Sequence, residues 1–144
     1  MTGPGFERLV RQAFAPFLTR LGMAMGGPFI SGRVYLVHFT GGTHKVSVSY
    51  EPGDERLLIT VSRVAQGVFS DYDDRAKTLR LGDLNARYMK FVTKEERLAN
   101  EAAFSSIVAE DKDELLLLKA AKELCLVLPK FLGDAQSPTA QPGD

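Results

Sequence analysis

The chain has 144 residues, one cysteine and a formal net charge of zero, with 44% apolar and 25% charged residues. This length predicts one domain whose core is large enough to fold without a metal, and the lone cysteine excludes an internal disulfide. Balanced charge argues against a nucleic-acid partner, because proteins that bind a phosphate backbone carry an excess of basic residues or a basic stripe on their surface. With no signal peptide and no apolar run near the roughly 20 residues of a membrane span, we expect a cytoplasmic protein without membrane contact.

The N-terminal segment predicts an amphipathic helix with a break in it. Apolar residues from Phe6 to Leu21 recur at the i, i+3, i+4 and i+7 spacing of one helical face. Gly22 follows the last of them, at the position of a C′ cap. Pro16 has no amide hydrogen and clashes with the preceding turn, so we expect a kink near Ala15.

Three β-type runs between Arg33 and Ser62 predict an antiparallel meander. Gly41-Gly42 predicts a two-residue turn with positive φ at both glycines, and the Pro52-Gly53 turn predicts Tyr50 opposite Glu55. Side chains alternate between faces, so both hairpins put the same apolar set on one face, which we expect to be packed. That set is Tyr35, Val37, Phe39, Val46, Val48, Tyr50, Leu57, Ile59 and Val61.

The opposite face of the sheet mixes apolar and polar side chains. Such a face is commonly solvated, but its apolar island also fits a surface that a partner covers. The two histidines fall on opposite faces in this register, with His44 at the rim of the apolar one, so a two-histidine metal site is not expected. The candidate partner-binding residues on this face are Val34, Leu36, His38, Ser47, Ser49, Leu58 and Thr60.

An acidic cluster of Asp71, Asp73 and Asp74 follows the meander. Carboxylate oxygens suit Mg²⁺ or Ca²⁺, but the calcium-loop pattern lacks its sixth-position glycine and twelfth-position glutamate. We therefore expect a solvated loop and no metal or other cofactor.

The segment after this loop predicts a short strand and a short helix. The strand is Thr78 to Leu81, and Asp83 has the position of the helix N-cap. The apolar residues expected to face inward are Leu84, Tyr88 and Phe91.

Two longer helices are predicted to complete the fold. Thr93 to Glu96 forms a capping box for a helix to about Val108. The next helix starts near Asp111, is bent or ended by Pro129 and is closed by Gly133. Residues expected to be buried in the first of these helices are Leu98, Ala102, Phe104 and Ile107.

Cys125 lies on the apolar stripe of the last helix, where a buried thiol is typically inert. No catalytic motif with a defined spacing is present, so no catalytic residue is assigned. Residues 135–144 have the Pro, Gln, Gly and Ser content of a disordered tail.

The whole pattern predicts an α+β fold in one domain over residues 1–134. Its elements are an N-terminal amphipathic helix, a three- to four-stranded antiparallel meander, and C-terminal helices packed on one face of the sheet. This order resembles a group of small, mostly uncharacterised bacterial proteins, some of them suggested as immunity or accessory proteins of toxin systems. The resembling residues are 17–22, 46–51, 81–84 and 124–132.

Three functions fit these observations. The first, which the resemblance also implies, is a small protein-interaction module without catalysis that binds a partner protein or a second copy of itself. The second is a small-ligand-binding domain with a pocket between sheet and helix. The third is a metal-dependent enzyme that uses Asp71, Asp73 and Asp74. Residues expected to line the pocket are Phe14, Phe17, Tyr35 and Tyr50.

Overall fold

An N-terminal helical segment, an antiparallel sheet and C-terminal helices follow one another along the chain, so the predicted α+β class is confirmed. The structure is a computed structural model that describes residues 1–26, 29–31, 33–53, 56–65, 68–69 and 78–136. The acidic cluster of Asp71, Asp73 and Asp74 lies outside these residues. No helix in the described part of the chain has both the length and the apolar character needed to cross a membrane.

The N-terminal segment forms two short α-helices joined by a π-helical turn. Helix α1 is Gly3–Leu9, the π turn is Val10–Phe14, and helix α2 is Ala15–Arg20. The Ala15 N–H donates to the Val10 carbonyl across this wider turn. Pro16 occupies the first turn of α2, directly after this wider turn, and has no N–H to donate. The kink predicted near Ala15 is therefore a π turn that accommodates the proline.

Gly22 ends α2 as predicted. Its φ is 85°, its N–H donates to the Thr19 carbonyl at 3.0 Å, and the Met23 N–H reaches the Leu18 carbonyl at 3.0 Å. These two bonds form a Schellman motif, which glycine adopts without steric cost. The motif turns the chain toward the first strand.

Within the described residues, seven strands form the antiparallel sheet, in the order β1-β3-β4-β5-β6, with β2 also paired to β3 and β7 to β5. The predicted meander is β3, β4 and β5, and the predicted short fourth strand is β7. The short strands β1, β2 and β6 were not expected. Their bounds are β1 Ala24–Met25, β2 Phe29–Ser31, β3 Val34–Thr40, β4 His44–Glu51, β5 Arg56–Ala65, β6 Val68–Phe69 and β7 Thr78–Arg80.

Both hairpins pair two residues away from the predicted register. The Gly41 N–H donates to the His44 carbonyl at 2.8 Å, so the first turn centres on Gly42-Thr43. Gly22 is the only described glycine with positive φ, so the conformation expected at Gly41-Gly42 was wrong. Tyr50 lies opposite Leu57 rather than Glu55. A slip of two residues preserves the side-chain alternation, and the two faces therefore remain as predicted.

The predicted packed face of the sheet is buried beneath the helices. Along β4, the residues His44, Val46, Val48 and Tyr50 are buried and alternate with half-buried ones. The apolar stripe of the N-terminal segment packs into the same core. Its fully or nearly buried members are Phe6, Leu9, Val10, Ala13, Phe14, Phe17 and Leu18.

Helix α3 is Leu81–Tyr88, and a 3₁₀ turn, Met89–Phe91, follows it. Asp83 lies in the third helical position rather than at the N-cap, and its carboxylate accepts the Arg80 N–H at 2.9 Å. Leu84 is fully buried, as predicted. Phe91 is exposed, and its predicted inward orientation is wrong, because the tighter 3₁₀ turn changes the direction of the side chains.

Helix α4 is Lys94–Phe104 and begins with the predicted capping box. Glu96 N–H donates to Thr93 Oγ1 at 3.1 Å, and Glu96 Oε1 accepts the Thr93 N–H at 2.9 Å. Phe104 is buried as expected, and the other residue of α4 that is buried is Asn100. The predicted burial of Leu98 and Ala102 is wrong, because the face that carries Asn100 and Phe104 is the one turned inward.

Helix α5 is Lys112–Gln136. Asp111 Oδ1 accepts the Glu114 N–H at 2.8 Å and caps it. The helix continues past Pro129, whose side chain is exposed, and past Gly133, which was expected to close it. The first two residues of the predicted tail are therefore helical, and residues 137–144 lie outside the described part of the chain.

Candidate interaction surfaces

The outer sheet face, turned away from the helices, carries the predicted partner-binding residues. The observed register aligns Leu36, Ser49 and Leu58 in one row across the three central strands. His38, Ser47 and Thr60 form the neighbouring row, and Val34 lies at the start of β3. All seven residues therefore share one face, although the pairing that joins them differs from the predicted one.

Burial on this outer face is uneven. Val34, Leu36, His38, Ser47, Ser49 and Leu58 are half-buried, whereas Thr60 is only 5% exposed. The expectation that Thr60 lies on an open surface is wrong. The reason is that β7 pairs with the far side of β5 and places Arg80 opposite Thr60, so β5 is an interior strand at this point.

A serine and a histidine are in contact on the outer sheet face. His38 Nδ1 lies 2.8 Å from Ser47 Oγ, because the register places the two residues opposite each other. Burial lowers the pKa of His38, and the charge of Lys45 lowers it further. A nucleophilic serine site also needs donors for the oxyanion and a group that orients the base. The pair by itself therefore does not indicate catalysis.

The four predicted pocket residues are core aromatics. The rings of Phe14 and Phe17 are buried with centroids 6.3 Å apart, and those of Tyr35 and Tyr50 are 6.0 Å apart. The Tyr50 hydroxyl donates to Asp113 Oδ2 on α5 at 2.6 Å. Tyr50, which was expected to line a ligand pocket, thus joins the sheet to the last helix through its hydroxyl.

A buried charged pair, which the sequence did not indicate, joins α1 to α5. The Arg8 guanidinium donates to the buried Glu114 carboxylate, and the Glu110 N–H donates to the same carboxylate at 3.1 Å. A Cβ atom at Gly5 would lie 2.6 Å from Glu114 Oε2, so a larger residue at this position requires the carboxylate to move. In sequence, Glu114 follows charged residues, and this pattern is typical of a solvated helix start.

His44 is buried at the other end of α5. It begins β4 at the end of the sheet and on the apolar face, as predicted, it is 3% exposed, and its ring meets Phe131 edge-on with centroids 5.4 Å apart. Nδ1 lies 2.8 Å from Thr43 Oγ1, while Nε2 has no hydrogen-bond partner among the described residues. Burial lowers the pKa of His44, and the charge of Arg63 lowers it further.

The described residues give no support to cysteine or metal chemistry. Burial raises the pKa of the half-buried Cys125 thiol, against a smaller opposite effect of Arg20, so the thiol stays protonated and a poor nucleophile. Within the described ranges, no group of three or more His, Cys, Asp or Glu side chains is placed to hold a metal ion.

Helix α4 covers the outer side of the C-terminal half of α5. Asn100 Nδ2 donates to the Lys122 carbonyl at 3.1 Å. Two ion pairs flank this contact: Lys122 to Glu101 at 3.2 Å and Lys130 to Glu96 at 3.1 Å. The Lys130 ammonium and the Thr93 N–H both lower the pKa of Glu96, the backbone bond more strongly. These contacts hold α4 against α5 by paired acidic and basic side chains around a polar anchor.

No helix or strand among the described residues covers the N-terminal half of the same side of α5. Leu115 is 60% exposed and Leu116 is 45% exposed, with the exposed lysines Lys112 and Lys119 on either side of them along the helix. We call these four residues the open leucine surface. Helical periodicity puts Leu117 and Leu118 in the core and leaves Leu115 and Leu116 outside it, as observed, but it does not show how far α4 extends toward them.

Comparisons with known proteins add no further constraint. The chain matches no family model, no curated protein and no solved structure. Its function is therefore inferred from its own geometry.

Proposed function

We propose that this protein is a small interaction module that binds another protein through the open leucine surface and acts without catalysis. The observation that carries the proposal is the exposure of Leu115 and Leu116 beside lysines on a side of α5 that α4 covers farther along. Single exposed leucines are ordinary on protein surfaces. Two adjacent ones continuing a helix-packing surface are typical of a binding site.

Burial of these leucines supplies a driving force for association. Covering one leucine side chain completely is worth about 1.5–3 kcal/mol, and each of these two has roughly half of its surface still to cover. Because both are already outside the core, a partner does not need to open the fold to reach them.

The outer sheet face is the alternative location for this binding site. Its apolar island of Val34, Leu36 and Leu58 is half-buried, which leaves less area to gain on binding than at the open leucine surface. The proposal includes an immunity-like or accessory role in the cytoplasm, which the resemblance to small bacterial proteins supports.

Isothermal titration of the purified chain with the protein products of neighbouring genes tests this function. We expect one of them to bind, and Leu115→Ser/Leu116→Ser to weaken that binding at least tenfold. The matched control is Leu58→Ser on the outer sheet face, which should bind like the wild type.

If Leu58→Ser binds more weakly and Leu115→Ser/Leu116→Ser binds like the wild type, the binding site lies on the outer sheet face. Absence of binding by every neighbouring product would contradict the proposed function. Light scattering on the same samples tests the homodimeric form, since a strict monomer at high concentration excludes it.

A further inference from the structure

Helix α4 shows what kind of helix α5 accepts on its outer side. It lies along α5 with glutamates paired to lysines of α5, at Glu101–Lys122 and Glu96–Lys130. Phe104, near the end of α4, is buried against the core. Between these pairs α4 packs Asn100 against α5, so this side of α5 accepts a helix that presents glutamates to its spaced lysines.

The open leucine surface repeats this arrangement without an occupant among the described residues. Lys112 and Lys119 are seven positions apart, which is two helical turns or roughly 10 Å along the axis. Leu115 and Leu116 lie between them. The nearby acidic side chains have other partners, including the N-terminal ammonium at 3.3 Å from Asp111 and 3.6 Å from Asp113, and no ion pair within the described residues joins them to Lys112 or Lys119. Asp111 caps α5, Asp113 accepts from Tyr50, Glu114 pairs with Arg8, and Glu110 is exposed in the preceding connection.

Charge argues against a second copy of this chain as the occupant. A symmetric antiparallel pair of α5 helices that buried both leucines would have its two-fold axis between Leu115 and Leu116. Across that axis Leu115 of one copy would face Leu116 of the other. By the same symmetry, Lys112 of one copy would face Lys119 of the other. Like charges at such a contact oppose association.

We propose that the open leucine surface binds an amphipathic helix of another protein, with acidic residues about two turns apart that bracket its apolar contact residues. This inference rests on the proposed function and adds the chemical class of the partner. The partner helix lies on α5 as an extension of the layer that α4 begins. Its carboxylates pair with Lys112 and Lys119, and its apolar residues cover Leu115 and Leu116.

Fluorescence anisotropy with two designed helical peptides of about 20 residues tests this specificity. The acidic peptide has glutamates seven positions apart around a leucine pair, and the control peptide has lysines in place of those glutamates. We expect the full chain to bind the acidic peptide about tenfold more tightly, since two partly exposed ion pairs together contribute up to about that factor. Equal binding of the two peptides, or no binding of either, would overturn the inference.

A charge-reversed protein completes the test. Lys112→Glu/Lys119→Glu should bind the basic peptide in preference to the acidic one, while Lys94→Glu on the exposed start of α4 should keep the wild-type preference. Circular dichroism melting checks that each variant is folded, which we expect because all three lysines are exposed.

The outcomes separate this inference from the proposed function. If a partner protein loses binding to Leu115→Ser/Leu116→Ser but binds Lys112→Glu/Lys119→Glu like the wild type, the proposed function stands. The inference that the partner is an acidic helix is then overturned. A dimer by light scattering that Leu115→Ser/Leu116→Ser dissociates would show that the occupant is a second copy, and would also overturn the inference.

Discussion

Glu114 and His44 are both buried polar residues next to α5, but their surroundings differ. Glu114 receives the Arg8 guanidinium and the Glu110 N–H, and Gly5 leaves space for its carboxylate. His44 has one partner, Thr43, and its Nε2 atom has none among the described residues. A charge can be buried only with compensating donors, whereas a histidine can remain neutral and tolerate an unmade bond. The Glu114 site is therefore rigidly specified, and the His44 site is sensitive to pH.

Arg8→Ala should have the largest effect on stability. It leaves the Glu114 carboxylate buried without its guanidinium, and we expect the free energy of unfolding to fall by about 3 kcal/mol. The lower end of the usual range applies because the Arg8 side chain is 30% exposed. Urea denaturation measures the change.

The control for this variant is Arg11→Ala, which breaks an exposed pair with Glu7 one helical turn away. We expect a loss of only about 0.3–0.5 kcal/mol there. Equal losses of unfolding free energy in Arg8→Ala and Arg11→Ala would show that the Arg8–Glu114 pair contributes no more to stability than an exposed pair.

Gly5→Ala should come next, at about 2 kcal/mol of destabilisation. The added methyl group would lie 2.6 Å from Glu114 Oε2, and the carboxylate is held in place by its two donors. In contrast, Gly133→Ala on α5 meets no atom within 4 Å and should stabilise the helix by about 0.5–1 kcal/mol. Thermal melting of both variants is the measurement, and stabilisation by Gly5→Ala would refute the described packing.

Acidification should destabilise the protein, and His44→Phe should reduce that loss. The pKa of His44 and that of His38 are both lowered from 6.5 in the folded chain, so the unfolded chain binds protons first as pH falls. The contribution of the two neutral histidines to the free energy of unfolding is fully present above about pH 6.5. It is lost as the pH falls from there through the lowered pKa values. Denaturation at pH 7 and pH 5 checks this, and an unchanged pH dependence in His44→Phe would exclude a role for His44.

Leu98→Ser should have the smallest effect. Leu98 was expected in the core but is exposed on α4, so the change in unfolding free energy should stay within about 0.5 kcal/mol. A loss of several kcal/mol in the same denaturation experiment would restore the original expectation and contradict the orientation of α4.

Prediction succeeded where local chemistry is strong. The capping box at Thr93, the glycine cap at Gly22 and the break near Pro16 each depend on residues within one or two turns, and each is present. The two sheet faces were also predicted, since a register slip of two residues leaves the alternation unchanged. The exact pairing was missed because glycines at 41 and 42 allow more than one turn.

The candidate sites were harder to predict. The outer sheet face follows from alternation alone, but the burial of Thr60 depends on β7, which arrives from a distant part of the chain. The open leucine surface depends on how far α4 extends along α5, and sequence periodicity does not record that length. Similarly, nothing local shows that Glu114 faces Gly5 and Arg8.

The sequence by itself determined the α+β order, the caps at Gly22 and Thr93 and the two faces of the sheet, because propensity, capping and alternation act over a few residues. Tertiary structure alone decided how far α4 extends along α5, which polar side chains are buried, and which partner each of them has. These features depend on elements about 100 residues apart in sequence, such as Arg8 and Glu114, whose contact forms only when the helices pack.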